Sequence, residues 1–152
     1  MSIAISTLSP LAFESYIQKN IIIHNYYQTN AGILKVFSIN EEIYKAEFCD
    51  VPDHLSIKNI TLLESFNLLL VGTNFQIKVW KALLQTSENK TISYQELATI
   101  IDHPNSWRAV ANVMAHNKIA FFIPCHKVIR KNGSLGGYKW GLERKKLLLA
   151  VK

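Results

Sequence analysis

Apolar residues along this chain gather in short runs through its first half and recur at helical spacing through its second. Residues 21–27, 33–39 and 43–48 are rich in β-branched and aromatic side chains, and turn-forming stretches separate them, Thr29-Asn30-Ala31-Gly32 and Asn40-Glu41. A small antiparallel sheet is the expected outcome. Residues 9–19 mix apolar and polar positions without a clean period, which predicts a short helix or an extended lead-in. Residues 50–60, with Asp50, Pro52 and Asp53, read as a surface connection. Residues 61–66 read as a short helix and 68–71 as a strand leading into a second domain.

From Gly72 the period changes. Thr73 and Gln76 have the spacing of a capping box, in which side chains satisfy the free N–H groups of a helix's first turn, and Phe75, Val79 and Leu83 follow at i, i+4 and i+8. This predicts an amphipathic helix to about residue 84. Ser93 and Glu96 repeat the capping spacing ahead of Leu97, Ala98, Ile100 and Ile101. His103-Pro104-Asn105 ends that helix and opens another over 105–116, with Trp107, Val110 and Met114 as its apolar stripe. Two short helices joined by a tight turn make a helix-turn-helix. On the second of them Ser106, Ala109, Ala111 and Ala115 are small, while Arg108 and Asn112 stand one turn apart. Such a face suits either the close approach of a nucleic-acid backbone or tight packing on another helix. An apolar strand over 119–123 then leads to Pro124-Cys125-His126.

Charge sharpens the division. Residues 1–71 hold four Lys/Arg against seven Asp/Glu, a net of −3, and residues 72–152 hold thirteen against four, a net of +9. The basic half points to a polyanionic partner. With 49% hydrophobic and 18% charged residues the chain is of ordinary globular composition. No apolar run approaches the length of a membrane span, and no basic region precedes an apolar one at the N-terminus. A protein of the cytoplasm, or of the nucleoid or nucleus, is therefore expected, with no membrane partner. The two cysteines, Cys49 and Cys125, have no zinc spacing, and His24, His54 and His103 are scattered, so neither a metal nor another cofactor is expected.

Cys125 is the candidate for chemistry. A thiol reacts as thiolate, and near its ordinary pKa of ~8.5 only a few per cent is in that form at neutral pH. His126 follows directly, Lys127 and Arg130 supply positive charge within a turn, and Pro124 restricts the backbone. An isolated Cys-His pair is more often an inert core feature, so the weight rests on the order of parts: helix-turn-helix, Asn117, apolar strand, thiol.

Together, Gly72-Thr73-x-Phe75-Gln76-x-x-Val79-Trp80, Ser93-Tyr94, Arg108-Ala109-Val110, Asn117, Pro124-Cys125-His126-x-Val128-Ile129 and Gly137-Tyr138-x-x-Gly141-Leu142 resemble the O6-alkylguanine-DNA alkyltransferase family, the methylated-DNA–protein-cysteine methyltransferases. The resemblance covers roughly residues 72–149. It implies an α+β fold, with a small ribonuclease-H-like antiparallel sheet domain over 1–68 packed on a helical domain over 69–152 that carries a winged-helix-like helix-turn-helix. It further implies a monomer that binds double-stranded DNA through the minor groove and flips out O6-alkylguanine, with O4-alkylthymine as a second substrate. The alkyl group then passes irreversibly to Cys125, once per molecule.

The resemblance also implies roles. Arg108 fills the space left by the flipped base, and Tyr94 crowds the 3′ phosphate and donates a proton toward the purine. Ser93, Ser106, Ala109, Asn112 and Lys127 join them on the DNA. Asn117 braces the turn that holds the cysteine loop, and the backbone around Cys125 and Val128 contacts the base amine. Tyr138 walls the alkyl pocket beside Pro124, and Gly136 and Gly137 give the lid its unusual backbone angles.

Two departures follow from the same resemblance. The family's relay runs from cysteine through water and histidine to a glutamate, but after Lys145-Lys146-Leu147-Leu148-Leu149 the matching position is Lys152, and Glu143 does not align with it. His126 then lacks its orienting carboxylate, and slower reaction at Cys125 is expected. Lys127 replaces an arginine, keeping charge without bidentate geometry. Alternative readings are a lesion sensor that binds alkylated DNA with little or no transfer, a helix-turn-helix regulator and a cysteine hydrolase. Cys125 speaks against the first, and spacing places no second histidine, Asn or Asp beside Cys125 for the last.

Overall fold

The structure is a computed structural model that describes residues 1–50, 56–61 and 64–150. It is a mixed α+β fold whose chain divides into two compact units, Met1–Asn74 with Lys118–Ala120, and Phe75–Asn117 with Phe121–Lys152. Among the described residues no helix is long and apolar enough to cross a membrane.

The first unit holds β1 (Ser2–Leu8), α1 (Pro10–Lys19), β2 (Ile23–Thr29), β3 (Gly32–Ile39), β4 (Glu42–Phe48), β5 (Ile57–Asn59) and β6 (Ser65–Val71). The three expected strands form the antiparallel meander β2-β3-β4, closed at Asn40 and Glu41, both with positive φ. The sheet as a whole is not antiparallel. Its order is β1-β6-β4-β3-β2-β5, and β1 with β6, β4 with β6 and β2 with β5 pair in parallel. The strand β1 has no counterpart among the expected elements, and β5 lies inside the expected surface connection, whose Pro52 and Asp53 fall outside the described residues. The helix expected over 61–66 is corrected as well, since Ser65 and Phe66 are extended and pair with Ser2 and Ile3. The cause is position: β6 lies between β1 and β4, where Phe66, Leu68, Leu69 and Leu70 are buried and the alternation with exposed Ser65 and Asn67 stops at the continuous run 68–70. Residues 9–19 resolve as a helix, with the Ser9 hydroxyl accepting from Ala12 N. The strand expected over 119–123 reduces to one bridge, Ile119 against Ala46, after which the backbone turns at Phe121, φ 71°.

The second unit holds α2 (Asn74–Leu84), β7 (Ile92–Ser93), α3 (Tyr94–Ile100), α4 (Trp107–Ala115), a 3-10 turn (Cys125–Lys127), β8 (Val128–Ile129) and α5 (Leu142–Leu149). Val79, Trp80 and Leu83 of α2, Leu97 and Ala98 of α3, Val110, Val113 and Met114 of α4, Val128 and Leu148 are buried. Each large apolar side chain among them stabilises the fold by about 1.5–3 kcal/mol relative to exposure. Trp107 does not belong to that stripe. It is 43% exposed, and Val113 takes the buried position, because α4 begins only at Trp107. Between α3 and α4 the chain reverses at Asp102, φ 63°, with His103 N donating to Ala98 O, the left-handed stop that closes a helix C-terminus.

The capping box of α3 forms as expected: Glu96 N donates to Ser93 Oγ at 3.0 Å and Ser93 N donates to Glu96 Oε2 at 2.7 Å. Ser93→Ala removes one of these bonds at a site 8% exposed. The expected cost is about 1 kcal/mol, read as a lower urea midpoint at unchanged m-value.

Candidate active site

The short pairing of β7 with β8 fixes where the chemistry can occur. Ile92 opposes Val128 and Ser93 opposes Ile129, so the start of α3, with Tyr94 one residue on, lies beside the strand that follows the cysteine turn. From below, Asn117 reaches under that turn. Its Nδ2 lies 3.1 Å from Cys125 Sγ and 3.3 Å from Ile123 O, and the residue has no exposed surface. Cys125 N donates to Ile123 O at 2.8 Å, and Lys127 N donates to Pro124 O at 3.0 Å. The thiol is thereby presented from the first residue of a 3-10 turn, 5% exposed.

A cavity of about 1000 Å³ opens over it. Tyr94 and Gln95 of α3 form one wall, Trp107, Ala111, Met114 and Ala115 of α4 a second, and two loop segments, 130–132 and 136–139, the third. The volume is at the upper end of what small-molecule sites occupy. Arg108, Ala109 and Asn112 lie on the exposed face of α4, where the Arg108 guanidinium sits 5.0 Å from the Trp107 ring centre. Ser106 precedes that helix and makes no side-chain cap bond.

Electrostatics differ from the expectation. Burial pushes the Cys125 thiol up to about 11, against the Asn117 hydrogen bond and the positive charges of Lys145 and Lys139. The free protein thus holds a protonated thiol at neutral pH. Lys127 is 5% exposed and donates to Thr86 Oγ1 at 3.0 Å and to Ser87 O; its charge acts on His126. Its ammonium holds the turn after α2. The Ser93 hydroxyl accepts from Glu96 N in the α3 cap.

Burial, helped by the charges of Lys127 and Lys145, lowers the His126 imidazole to about 4, so the ring is neutral, and its buried Nδ1 has no hydrogen-bond partner among the described residues. The Tyr138 ring stands perpendicular to it at 6.4 Å, and the buried Tyr138 hydroxyl likewise has no partner among the described residues. Burial raises the pKa of Tyr138, and the Cys125 charge adds to it. Tyr94 is raised by burial and then by Cys125, with Arg130 opposing.

Gly136 has φ +67°, and a Cβ there would lie 3.4 Å from Tyr94 Oη. The left-handed angle expected of both lid glycines belongs to Gly136 alone; Gly137 has no positive φ and open space around it. Glu143 pairs with Lys146 on the exposed side of α5 at 3.2 Å. Lys152 lies outside the described residues. Among the described residues no group of three or more His, Cys, Asp or Glu could hold a metal.

Lys145 is the functional candidate that sequence reasoning passed over. It has no exposed surface, and its Nζ donates to Val128 O at 2.7 Å, to Gly137 O at 3.1 Å and to Leu135 O. The available signal was its place three residues before Leu148, on the buried stripe of α5.

Residues 74–151 match a family described as 6-O-methylguanine DNA methyltransferase, DNA binding domain. The regulatory protein ada of Salmonella typhimurium is 46% identical over 94 residues, which cover 62% of this chain and 27% of that protein. The methylated-DNA–protein-cysteine methyltransferase of Kluyveromyces lactis is 45% identical over 80 residues, covering 53% of this chain and 42% of that one. The chain thus spans less than half the length of these two curated relatives. Among solved structures, Mycobacterium tuberculosis OGT in complex with DNA superposes with a TM-score of 0.69 at 30% identity, over 83% of this chain and 90% of that one.

Proposed function

We propose that this chain, which belongs to the 6-O-methylguanine DNA methyltransferase family, repairs DNA by direct reversal of damage. It flips O6-alkylguanine, and O4-alkylthymine as a second substrate, out of double-stranded DNA and accepts the alkyl group irreversibly on Cys125. One observation carries this reading: a buried thiol at the foot of a cavity of about 1000 Å³, one wall of which is the helix that exposes Arg108. The protein acts as a monomer of the cytoplasm, nucleoid or nucleus.

The lesion strand enters along α4 from the minor groove. Arg108 occupies the gap left by the flipped base, Ala109 and Asn112 let the backbone approach, and Ser106 and Tyr94 flank it. In the cavity the S–C bond forms as the C–O6 bond breaks. The thiol proton leaves through neutral His126, and the purine receives a proton from the Tyr94 hydroxyl, so the guanine departs uncharged. Removing a proton from a thiol near 11 by an imidazole near 4 is uphill by several units, so it must be coupled to alkyl departure. Asn117 keeps the sulfur aimed, the backbone of Val128 beside Pro124 meets the base edge, and Tyr138, with the Gly136-Gly137 segment, closes the alkyl side. We further assign residues 1–68 to a ribonuclease-H-like domain and 69–152 to an alkyl-accepting domain with a winged-helix-like helix-turn-helix.

Intact mass after mixing with a duplex carrying one O6-methylguanine tests this. The protein gains one methyl group, on the peptide containing Cys125, and takes up no second equivalent from excess DNA. Binding of the duplex without mass gain would support the sensor reading instead.

A further inference from the structure

We infer that Trp107 is a substrate-binding residue: its indole is the surface on which an extruded alkylated purine stacks as it enters the cavity over Cys125. This rests on the proposed function of the same site. Trp107 is the first residue of α4, and Ala111 and Ala115 follow it at i+4 and i+8, so the three form one ridge of that helix along the cavity wall. The two alanines carry only a methyl group each. Met114, which lines the same wall, is 7% exposed. The broad apolar surface that α4 presents to the cavity is therefore the indole, at the end of the ridge next to Arg108.

A tryptophan placed for packing alone is buried, as Trp80 is at 4% exposure, whereas Trp107 leaves 43% of its surface open. Its ring already serves as a stacking surface: the guanidinium of Arg108, a planar cation, lies over it at 5.0 Å from the ring centre. Under the proposed function Arg108 is also the side chain that fills the gap in the duplex. When it leaves the indole to do so, the ring face it covered is freed at the step at which a base has left the stack. An extruded purine has lost the stacking of its neighbours and recovers part of it on an aromatic side chain, whatever its substituent at O6. The adjacent pair Trp107 and Arg108 thus couples the filling of the gap to the capture of the base.

Trp107→Ala and Trp107→Phe are compared with the wild type by single-turnover methyl uptake from O6-methylguanine in duplex and in single-stranded DNA, and by affinity for an unmodified duplex. Trp107→Ala should lower the second-order uptake rate about tenfold with both lesion substrates, the scale of one lost base–aromatic stack, and change affinity for the unmodified duplex by less than about twofold. Trp107→Phe, which keeps a ring, should stay within about threefold of wild type. The loss should recur when Trp107→Ala is added to Arg108→Ala; a loss that vanishes in that background means that Trp107 acts only through Arg108, and overturns the inference. Uptake by the Ala variant within about twofold of wild type, or a fall in its affinity for unmodified duplex as large as its fall in uptake, overturns it too. Should the Ala variant fail to melt cooperatively, tryptophan fluorescence of Cys125→Ser, with and without Trp107→Phe, decides. Quenching by the O6-methylguanine duplex beyond that by the unmodified duplex should be present with Trp107 and absent in the Phe variant, and quenching that is absent from both or survives in the Phe variant overturns the inference. Quenching that depends on Trp107, in a protein whose wild type gains no methyl group, would instead remove the proposed function and leave the base contact standing.

Discussion

Cys125→Ser abolishes methyl uptake while the protein still binds alkylated DNA. Serine keeps the size of the side chain and can still accept from Asn117 Nδ2, which lies 3.1 Å from the sulfur, so the turn and the cavity survive. It loses the nucleophile, because a hydroxyl ionises far less readily than a thiol and His126, lowered to about 4, is too weak a base to deprotonate one. The expected fall in transfer rate is at least about 10³-fold, at the scale seen when a reacting side chain is removed from a preorganised site. Affinity for an O6-methylguanine duplex, followed by fluorescence anisotropy, should change by less than about threefold, since the exposed face of α4 is untouched. Methyl uptake persisting in this variant would show that the acceptor is elsewhere. Cys49→Ser is the control: that thiol lies in the other unit and should leave uptake unchanged.

Asn117→Leu has the second largest effect, and it acts on stability and chemistry together. The side chain is fully buried and its Nδ2 is the donor for both Cys125 Sγ and Ile123 O. Leucine is similar in volume but leaves the Ile123 carbonyl with the Cys125 N–H as its remaining donor and takes the donor from the sulfur, at a cost of about 1–3 kcal/mol measured by urea denaturation. The hydrogen bond to sulfur is also the largest influence opposing burial at the thiol. Without it the thiol moves further up, and methyl uptake falls by about tenfold for each unit. Asn117→Asp separates the two effects: it keeps the shape but can place a negative charge beside the sulfur, so thiol reactivity toward iodoacetamide should fall at least as far as in the leucine variant. Wild-type reactivity in both variants would mean that Asn117 braces the turn without acting on the sulfur.

Local patterns were legible wherever a residue's role depends on near neighbours. The capping box at Ser93 and Glu96, the hairpin turn at Asn40-Glu41 and the meander β2-β3-β4 all rest on contacts within a few positions. The pairing of β1 with β6 was not legible, since a strand of ordinary composition is defined by a partner more than fifty residues away. Residues 65–66 read as helix for the same reason: their extended backbone is set by pairing with Ser2 and Ile3, more than fifty positions away.

At the site, the sequence by itself determined the candidate acceptor thiol, the helix-turn-helix order and the family resemblance, because these are carried by residue identity and spacing. It did not determine how the charges act. Lys127, next but one to the thiol in sequence, turns away to Thr86 and Ser87, while Lys145, twenty positions on, is buried with its charge felt at the sulfur. Only the tertiary structure could decide this, since the strength of a charge depends on distance through space and on burial, and neither follows from separation along the chain. The same reason explains why a thiol flanked by basic residues in sequence is held protonated: the removal of water from around Cys125 outweighs the nearby positive charge.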